Sequence, residues 1–139
     1  VNELGNDIFS AQETKCELVS GAFRSDLDRN VCATAFHSSR ANSRRFYVSR
    51  IIGHSLFAPS DRLIAVTDAK TSTQQLQRSF AQEFLCPWRE LEKYVRDNGD
   101  GEDAIADVAN RYGVSEYVVL TTLVNRHAIG RTRLPEQLR

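Results

Sequence analysis

The stretch RRFYVSRIIGHSLF, residues 44–57, decides the fold more than any other part of the chain. Ser43 stands just before it as a candidate helix N-cap, and a Pro-Ser-Asp breaker follows at residues 59–61. Between them, apolar side chains recur three and four residues apart, as they do on one face of an α-helix. The spacing predicts a helix whose buried face is formed by Val48, Ile51, Ile52 and Leu56.

A second stretch, QQLQRSFAQEFLCP at residues 74–87, carries a similar pattern. Ser72 or Thr73 opens this helix, and Pro87 ends it because proline cannot continue the hydrogen-bond ladder. The inward residues predicted from the spacing are Leu76, Phe80, Phe84 and Leu85.

Shorter segments surround these two helices. Two runs with β-branched and aromatic residues, 17–24 and 31–38, flank the turn-rich SDLDRN and predict a β-hairpin. Residues 62–66 read as a short extended piece, and residues 88–95 as a third helix followed by a loop at 97–103. We therefore expect an α+β fold in which a small antiparallel sheet, a hairpin or three strands, packs on a mostly helical body.

From residue 103 to residue 127 the pattern becomes a compact helix pair. Gly113 supplies the turn, and Ser115 is a good N-cap for the second helix. This arrangement is typical of a helix-turn-helix, which either packs on or binds protein, or reads DNA. The outward side of the second helix offers no arginine, which favours the first alternative; the residues expected there are Glu116, Tyr117 and Thr121.

The composition bounds the class of protein. The chain has 139 residues, 41% hydrophobic and 26% charged, with 18 basic and 18 acidic side chains, which fits one globular domain. No apolar run approaches the ~20 residues that span a bilayer, so we expect a cytoplasmic protein with no membrane partner. Cys16, Cys32 and Cys86 form no CxxC pair and are expected to be buried, reduced thiols. Since the sequence contains no methionine, we expect it to be a domain of something longer.

Charge is unevenly distributed although it sums to zero. Residues 1–30 are rich in acid, whereas residues 31–60 contain arginines and no acid. Arg40, Arg44 and Arg45 are the candidate anion or nucleic-acid patch. The alternative is that these arginines are only solvated, or that they pair with the acidic N-terminal region.

Together, residues 44–57 and 74–87 resemble the core of the ImmA/IrrE family of zinc metallopeptidases. In that family an RRF-type start leads into a helix bearing HExxH, and a later helix has the form ExxxxxFAxxxLxP. The resemblance covers most of residues 15–130, with residues 1–14 as a lead-in or linker and residues 131–139 as a frayed tail. It implies a zincin-like helical body with the helix pair at its C-terminal end.

The resemblance also implies which residues occupy the zinc site. Arg50 takes the place of the first histidine, Ile51 that of the catalytic glutamate, and Gln74 that of the glutamate ligand; His54 alone is retained. Arginine cannot give up its proton to bind a metal, isoleucine is no base, and a neutral amide is a poor zinc ligand. We therefore expect no metal, no cofactor and no catalytic residue.

Arg50, His54 and Gln74 become candidates for a polar ligand pocket that would suit a carboxylate, a phosphate or a peptide terminus. Two other interpretations remain open. His54 is an ordinary hydrogen-bonded structural histidine, or Arg50 pairs internally with a carboxylate such as Asp68 or Glu83. A rebuilt metal site using Cys86 or His37 is a further alternative.

The function expected from this resemblance is a non-catalytic pseudo-peptidase module that binds a protein or a small ligand. Its context would be sensing or interaction in a bacterial or phage transcription regulator, with DNA contacted by a fused or C-terminal helix-turn-helix. The alternatives are a DNA-binding regulator acting directly through residues 105–124, and an active zinc metallopeptidase with non-standard ligands. A homodimer through an exposed apolar surface is a further alternative.

Overall fold

The computed structural model describes residues 19–26, 31–58 and 63–135. These residues form an α+β fold with three strands and five α-helices, as the sequence predicts. The strands are β1 (Val19–Asp26), β2 (Val31–Phe36) and β3 (Leu63–Thr67). The helices are α1 (Ala41–Phe57), α2 (Ser72–Leu85), α3 (Trp88–Asn98), α4 (Glu102–Tyr112) and α5 (Glu116–Asn125), followed by a 3-10 turn at Arg131–Arg133.

The sheet is antiparallel, with strand order β2-β1-β3. The predicted hairpin is present: Gly21 pairs with Phe36 at one end of β1 and β2, and Asp26 pairs with Val31 at the other. The extended piece predicted at 62–66 is β3, which lies on the other side of β1 and pairs Ala65 with Ala22. The chain reaches β3 only after α1, so this helix is the connection between two strands that border the same central strand.

Two apolar clusters hold the elements together. The sheet cluster consists of buried Ile51, Ile64 and Val66, with Phe36 and Tyr47 among the half-buried side chains packed against it. The larger C-terminal cluster joins the end of α2 to the last three helices, and Phe46 of α1 packs against it. Its buried members are Leu85, Cys86, Leu91, Ile105, Val108, Ala109, Val114, Val118, Val119 and Leu123. Because α1 contributes to both clusters, it ties the sheet to the helical part.

The C-terminal helix pair forms where local signals place it. Gly113 ends α4 in the left-handed region, at φ 61°, and its N–H and that of Val114 donate to carbonyls of the last turn. The Ser115 side chain accepts from Val118 N and so caps α5, as predicted. Thr121, however, does not face outward: it is half-buried and its hydroxyl accepts a hydrogen bond from Gln82 Nε2 of α2, at 3.2 Å.

The predicted buried faces of α1 and α2 are largely wrong. Of the residues expected inside, only Ile51 and Leu85 are buried, and Phe80 is half-buried. The others are exposed: Val48, Ile52, Leu56, Leu76 and Phe84. In their place α1 buries Ser49, Arg50 and Gly53, and α2 buries Gln74, Gln77 and Ala81.

A close approach between the two helices explains this inversion. Gly53 has no side chain, and the Phe80 ring occupies the space where its Cβ would lie. Such contact requires small residues on the facing sides, which Ser49 and Ala81 also supply. The helix sides that bear small and polar residues therefore face inward, and the larger apolar side chains are left outside.

Several predicted boundaries also shift. Helix α1 begins at Ala41 rather than after Ser43, because Arg44 N already donates to Arg40 O. Helix α3 continues past residue 95 to Asn98, and Gly99 is its C-cap, with φ at 82°. The start of the expected tail is packed: Leu134 is buried, and Arg133 bonds to Asp100 O.

Some predictions fall outside the described residues, among them the lead-in at 1–14, Cys16, the breaker at 59–61 and the last four residues of the tail. Among the helices that the structure does describe, none is long and apolar enough to cross a membrane.

Replacing Gly53 with alanine tests the close approach of α1 and α2. An added Cβ would lie 2.6 Å from Phe80 Cδ1, a distance that such contacts essentially never show. Alanine in place of glycine inside a helix is otherwise favourable by ~1 kcal/mol. We expect Gly53→Ala to lower the free energy of unfolding by about 1–3 kcal/mol, since overpacking outweighs propensity. Urea unfolding followed by circular dichroism measures this change.

Gly130→Ala is the matched control. Its added Cβ would meet only Thr132 Oγ1, at an ordinary contact distance of 3.5 Å. We expect this variant to stay within about 0.5 kcal/mol of the wild type. A Gly53→Ala protein as stable as the control would contradict the packing described above.

Candidate functional site

Arg50 lies at the centre of a buried polar cluster between α1, α2 and β3. Its side chain is only 1% exposed and is the largest among those fully buried in the described part of the chain. Nη2 of its guanidinium donates to Thr67 O at 2.7 Å and to Gln74 Oε1 at 2.5 Å. One arginine therefore ties α1 both to the end of β3 and to the first turn of α2.

Gln74 is the second member of the cluster and uses both ends of its amide. Besides Arg50, its Oε1 accepts from Thr67 N at 3.0 Å, and its Nε2 donates to Ala65 O at 2.9 Å. The helix start places it there: the Thr71 side chain caps α2 by accepting from Gln74 N. The amide thus pairs with the edge of β3 much as a neighbouring strand would.

His54 and Gln77 continue the cluster along the same two helices. Gln77 Nε2 lies 3.1 Å from His54 Nδ1 and 3.4 Å from Ala65 O. Because the carbonyl oxygen can only accept, the amide nitrogen must face it, which makes His54 Nδ1 the acceptor of the other amide proton. Gln77 is a residue of this site that the sequence pattern does not single out; its signal is a second glutamine one helical turn after Gln74.

The charge of Arg50 is balanced by neutral oxygens rather than by a carboxylate. No carboxylate of the described residues forms an ion pair with it; Glu83 pairs with Arg126 instead. Burial lowers the pKa of Arg50 to about 10, with the nearby Arg78 adding to the effect and Asp68 opposing it. The guanidinium is still positive at neutral pH, so a full charge is held in the interior by carbonyl and amide dipoles.

Two buried polar atoms of this cluster have no hydrogen-bond partner among the described residues. They are Nε of Arg50 and Oε1 of Gln77, one a donor and the other an acceptor. A buried water can accept from such a donor or donate to such an acceptor. The 1% exposure of Arg50 leaves a free anion no open path to the guanidinium.

The structure thus brings together the three predicted pocket candidates, with Arg50 and Gln74 buried and His54 half-buried. The patch arginines lie elsewhere and are exposed. Arg44 Nε donates to Ser38 O at 3.0 Å, and Arg45 Nη1 donates to Tyr112 O at 2.9 Å, at the C-terminal end of α4. Both arginines donate to backbone carbonyls, and their charged groups remain at the surface.

No group of three or more histidine, cysteine or acidic side chains that could hold a metal ion occurs among the described residues. Cys86 is a free thiol buried in the C-terminal cluster, and burial, with Glu83 nearby, raises its pKa to about 11. The thiol is therefore protonated at neutral pH, and a protonated thiol is a poor metal ligand. His37 is exposed just after β2.

No model of a known protein family matches the chain, and no curated protein matches it either.

Gln74→Leu tests how much the fold depends on this cluster. Leucine has a similar volume but leaves Arg50 Nη2, Thr67 N and Ala65 O each without one partner. An unsatisfied buried polar group costs about 1–3 kcal/mol, so we expect a loss of roughly 2–5 kcal/mol in the free energy of unfolding. Urea or thermal unfolding measures it.

Gln75→Leu provides the comparison on the neighbouring residue. Gln75 is exposed, and its amide reaches only Lys70 O at 3.3 Å. The expected change is within about 0.5 kcal/mol. Equal stability of the two leucine variants would show that the buried amide does not hold α2 to β3.

Proposed function

We propose that this chain is a non-catalytic module of the ImmA/IrrE type, a pseudo-peptidase that binds a protein partner. One observation carries the proposal: Arg50 and Gln74, which stand where that family has zinc ligands, are hydrogen-bonded to each other at 2.5 Å. Two positions that a metal would join are joined directly, by a guanidinium and an amide.

The chemistry of the replaced residues supports a module without peptidase activity. Ile51, in the place of the general base, is buried in the sheet cluster and has no group that could take a proton from water. Loss of a general base typically costs about 10²–10⁴ in rate. Retained activity would therefore need both a new metal site and a new base.

The packing of α1 and α2 on the sheet supports a zincin-like body. In the family, one helix presents two ligands one turn apart and the next helix presents the third. Here Arg50 and His54 lie one turn apart on α1, and both bond to glutamines of α2. The spacing of the family's ligands and the contacts between α1 and α2 therefore involve the same positions of the two helices.

The helix pair supports protein contact more than DNA reading. Helix α5 buries five of its ten residues and is tied to α2 and α3 on its outer side: Arg126, just beyond it, pairs with Glu83 and lies over the Trp88 ring at 5.6 Å. A helix that enters the major groove needs a free face with donors for base edges. The exposed residues at the N-terminus of α5 are instead Glu116 and Tyr117, and the carboxylate of Glu116 would repel phosphate.

The burial of Arg50 favours a protein partner over a small ligand in the old zinc site. A role in a bacterial or phage transcription regulator follows from the family resemblance and is part of the same proposal. Direct DNA binding through α4 and α5, helped by the exposed arginines, is the second candidate function.

Restoring the zinc site tests the resemblance directly. We expect the wild-type protein to take up no zinc at a specific site in isothermal titration. The triple variant Arg50→His, Ile51→Glu and Gln74→Glu recreates the family's ligands around His54 and should bind one zinc ion and gain thermal stability from it.

The control variant carries the first two substitutions with Gln75→Glu, whose carboxylate would point to solvent, and should bind no zinc. Circular dichroism verifies that each variant is folded. Stoichiometric zinc uptake by the wild type would contradict the loss of the site, and a folded triple variant without zinc affinity would contradict the resemblance.

A gel-shift titration separates the protein-binding module from the DNA-binding regulator. With a mixed-sequence duplex we expect no complex at moderate salt, because binding that depends on a few exposed arginines is lost between about 50 and 200 mM salt. Specific binding that persists at the higher salt concentration would favour the second candidate function.

A further inference from the structure

The outer sides of α1 and α2 carry an exposed apolar surface, which we name the α1–α2 face. Six of the eight large apolar side chains that are exposed in the described chain lie here, from 40% exposed at Val48 to 65% at Leu56. The six are Val48, Ile52, Leu56, Phe57, Leu76 and Phe84. Concentration of exposed apolar side chains on one surface is typical of an interaction site.

Phe80 makes the face continuous across the two helices. Its ring meets Phe57 edge-on with centroids 6.1 Å apart and stacks on Phe84 at 5.6 Å. The same ring lies against Gly53, the buried α1 residue that stands between Ile52 and Leu56 along the chain. The aromatic row of α2 therefore borders the apolar row of α1.

The α1 row begins with positive charge. Arg44 lies one turn before Val48 on α1, and Arg40 is the N-cap residue just before the helix, so both arginines lie at the N-terminal end of the row formed by Val48, Ile52 and Leu56. Helix α1 contains no acidic residue, and neither arginine forms an ion pair with any carboxylate in the described part of the chain. From Arg44 to Leu56 the row thus runs from basic to apolar over about 18 Å, at 1.5 Å per residue.

We propose that the α1–α2 face binds an amphipathic helix of a partner protein, one whose acidic end pairs with Arg40 and Arg44 and whose apolar side covers Ile52, Leu56 and Phe84. This inference rests on the proposed function as a protein-binding module and names the class of its partner. Burial of the apolar row drives association, and the charged end sets the orientation of the bound helix.

Charge complementarity selects this occupant over a second copy of the chain. A two-fold dimer would place the α1–α2 face of one copy against the same face of the other. The α1 part of that face carries arginines and no acid, and Glu83, the one acidic residue of α2, already pairs with Arg126 of its own chain. A second copy would therefore cover the apolar row but leave Arg40 and Arg44 without carboxylates.

The test uses fluorescence anisotropy with the full chain and a labelled synthetic peptide. The probe is an 18-residue helix of leucine, alanine and glutamate, with leucines along one side and its glutamates in the first turns. A second probe has lysine in place of each glutamate. We expect wild-type protein to bind the acidic probe at least about tenfold more tightly than the basic one.

Two variants locate the binding surface. Ile52→Glu puts a charge in the apolar row and should weaken the acidic probe about tenfold or more, which is about 1.4 kcal/mol. Arg44→Glu should lower the preference for the acidic probe several-fold and improve the basic one. The matched controls are Leu63→Glu on β3 and Lys93→Glu on α3, both exposed and off the face, which should bind both probes as the wild type does.

Other results would overturn the proposal. These are equal affinity for the two probes, an Ile52→Glu protein that binds like the wild type, or a dimer in light scattering that Ile52→Glu dissociates, which would make a second copy the occupant. Binding to anionic lipid vesicles that both face variants abolish would assign the face to a membrane surface. Wild-type zinc uptake or sequence-specific DNA binding would instead overturn the proposed function, and neither depends on the outcome with the peptides.

Discussion

The contact between the Arg50 guanidinium and the Gln74 amide is the interaction on which the packing of α1, β3 and α2 depends. Arg50 and Gln74 bond to each other, and both bond to the backbone at the end of β3, at Thr67 and Ala65. A buried charge without a carboxylate is costly, so each of these neutral acceptors matters more than it would at the surface. The cluster therefore also fixes where the helices lie. Neither α1 nor α2 can move along β3 without leaving the charge of Arg50 unsatisfied.

The polar cluster also determines which side chains of α1 lie on the surface. A helix that uses one side for Arg50 and for the close contact at Gly53 cannot also bury Val48 and Ile52, which lie on other sides of the same turns. The apolar row of α1 is thus the geometric consequence of the polar cluster. In an isolated domain such a row costs solubility, and a partner helix that covers it removes that cost.

The sequence predicts well those parts whose signals are local. The hairpin follows from two runs around a turn, and the helix pair follows from Gly113, which suits a left-handed C-cap, and Ser115, which suits an N-cap. The inward face of α1 could not be predicted in this way, because apolar residues occur on more than one side of it and periodicity alone does not say which side meets a neighbour. The deciding contact joins Gly53 to Phe80, 27 positions apart, and only the tertiary structure shows it. For the same reason, a contact between Arg50 and Gln74 is predicted only by way of a family resemblance, and the position of Gln77 one turn after Gln74 does not by itself show that Gln77 joins them.

Under the proposed kinship, a guanidinium performs part of the structural task of a zinc ion. A zinc ion in such a site joins two helices by drawing oxygen and nitrogen ligands to one positive centre. Here the positive centre is attached to α1 itself, and the side chain at the ligand position of α2 accepts a hydrogen bond from it at 2.5 Å. Gln74 suits this arrangement better than the family's glutamate would, because its Nε2 donates to Ala65 O, where a second carboxylate oxygen would be repelled. Under that proposal, the exchange of glutamate for glutamine and of histidine for arginine is one coupled change, which gives up the chemistry of the metal while keeping the two helices joined. The proposed recognition then falls to the outer surface of the same two helices.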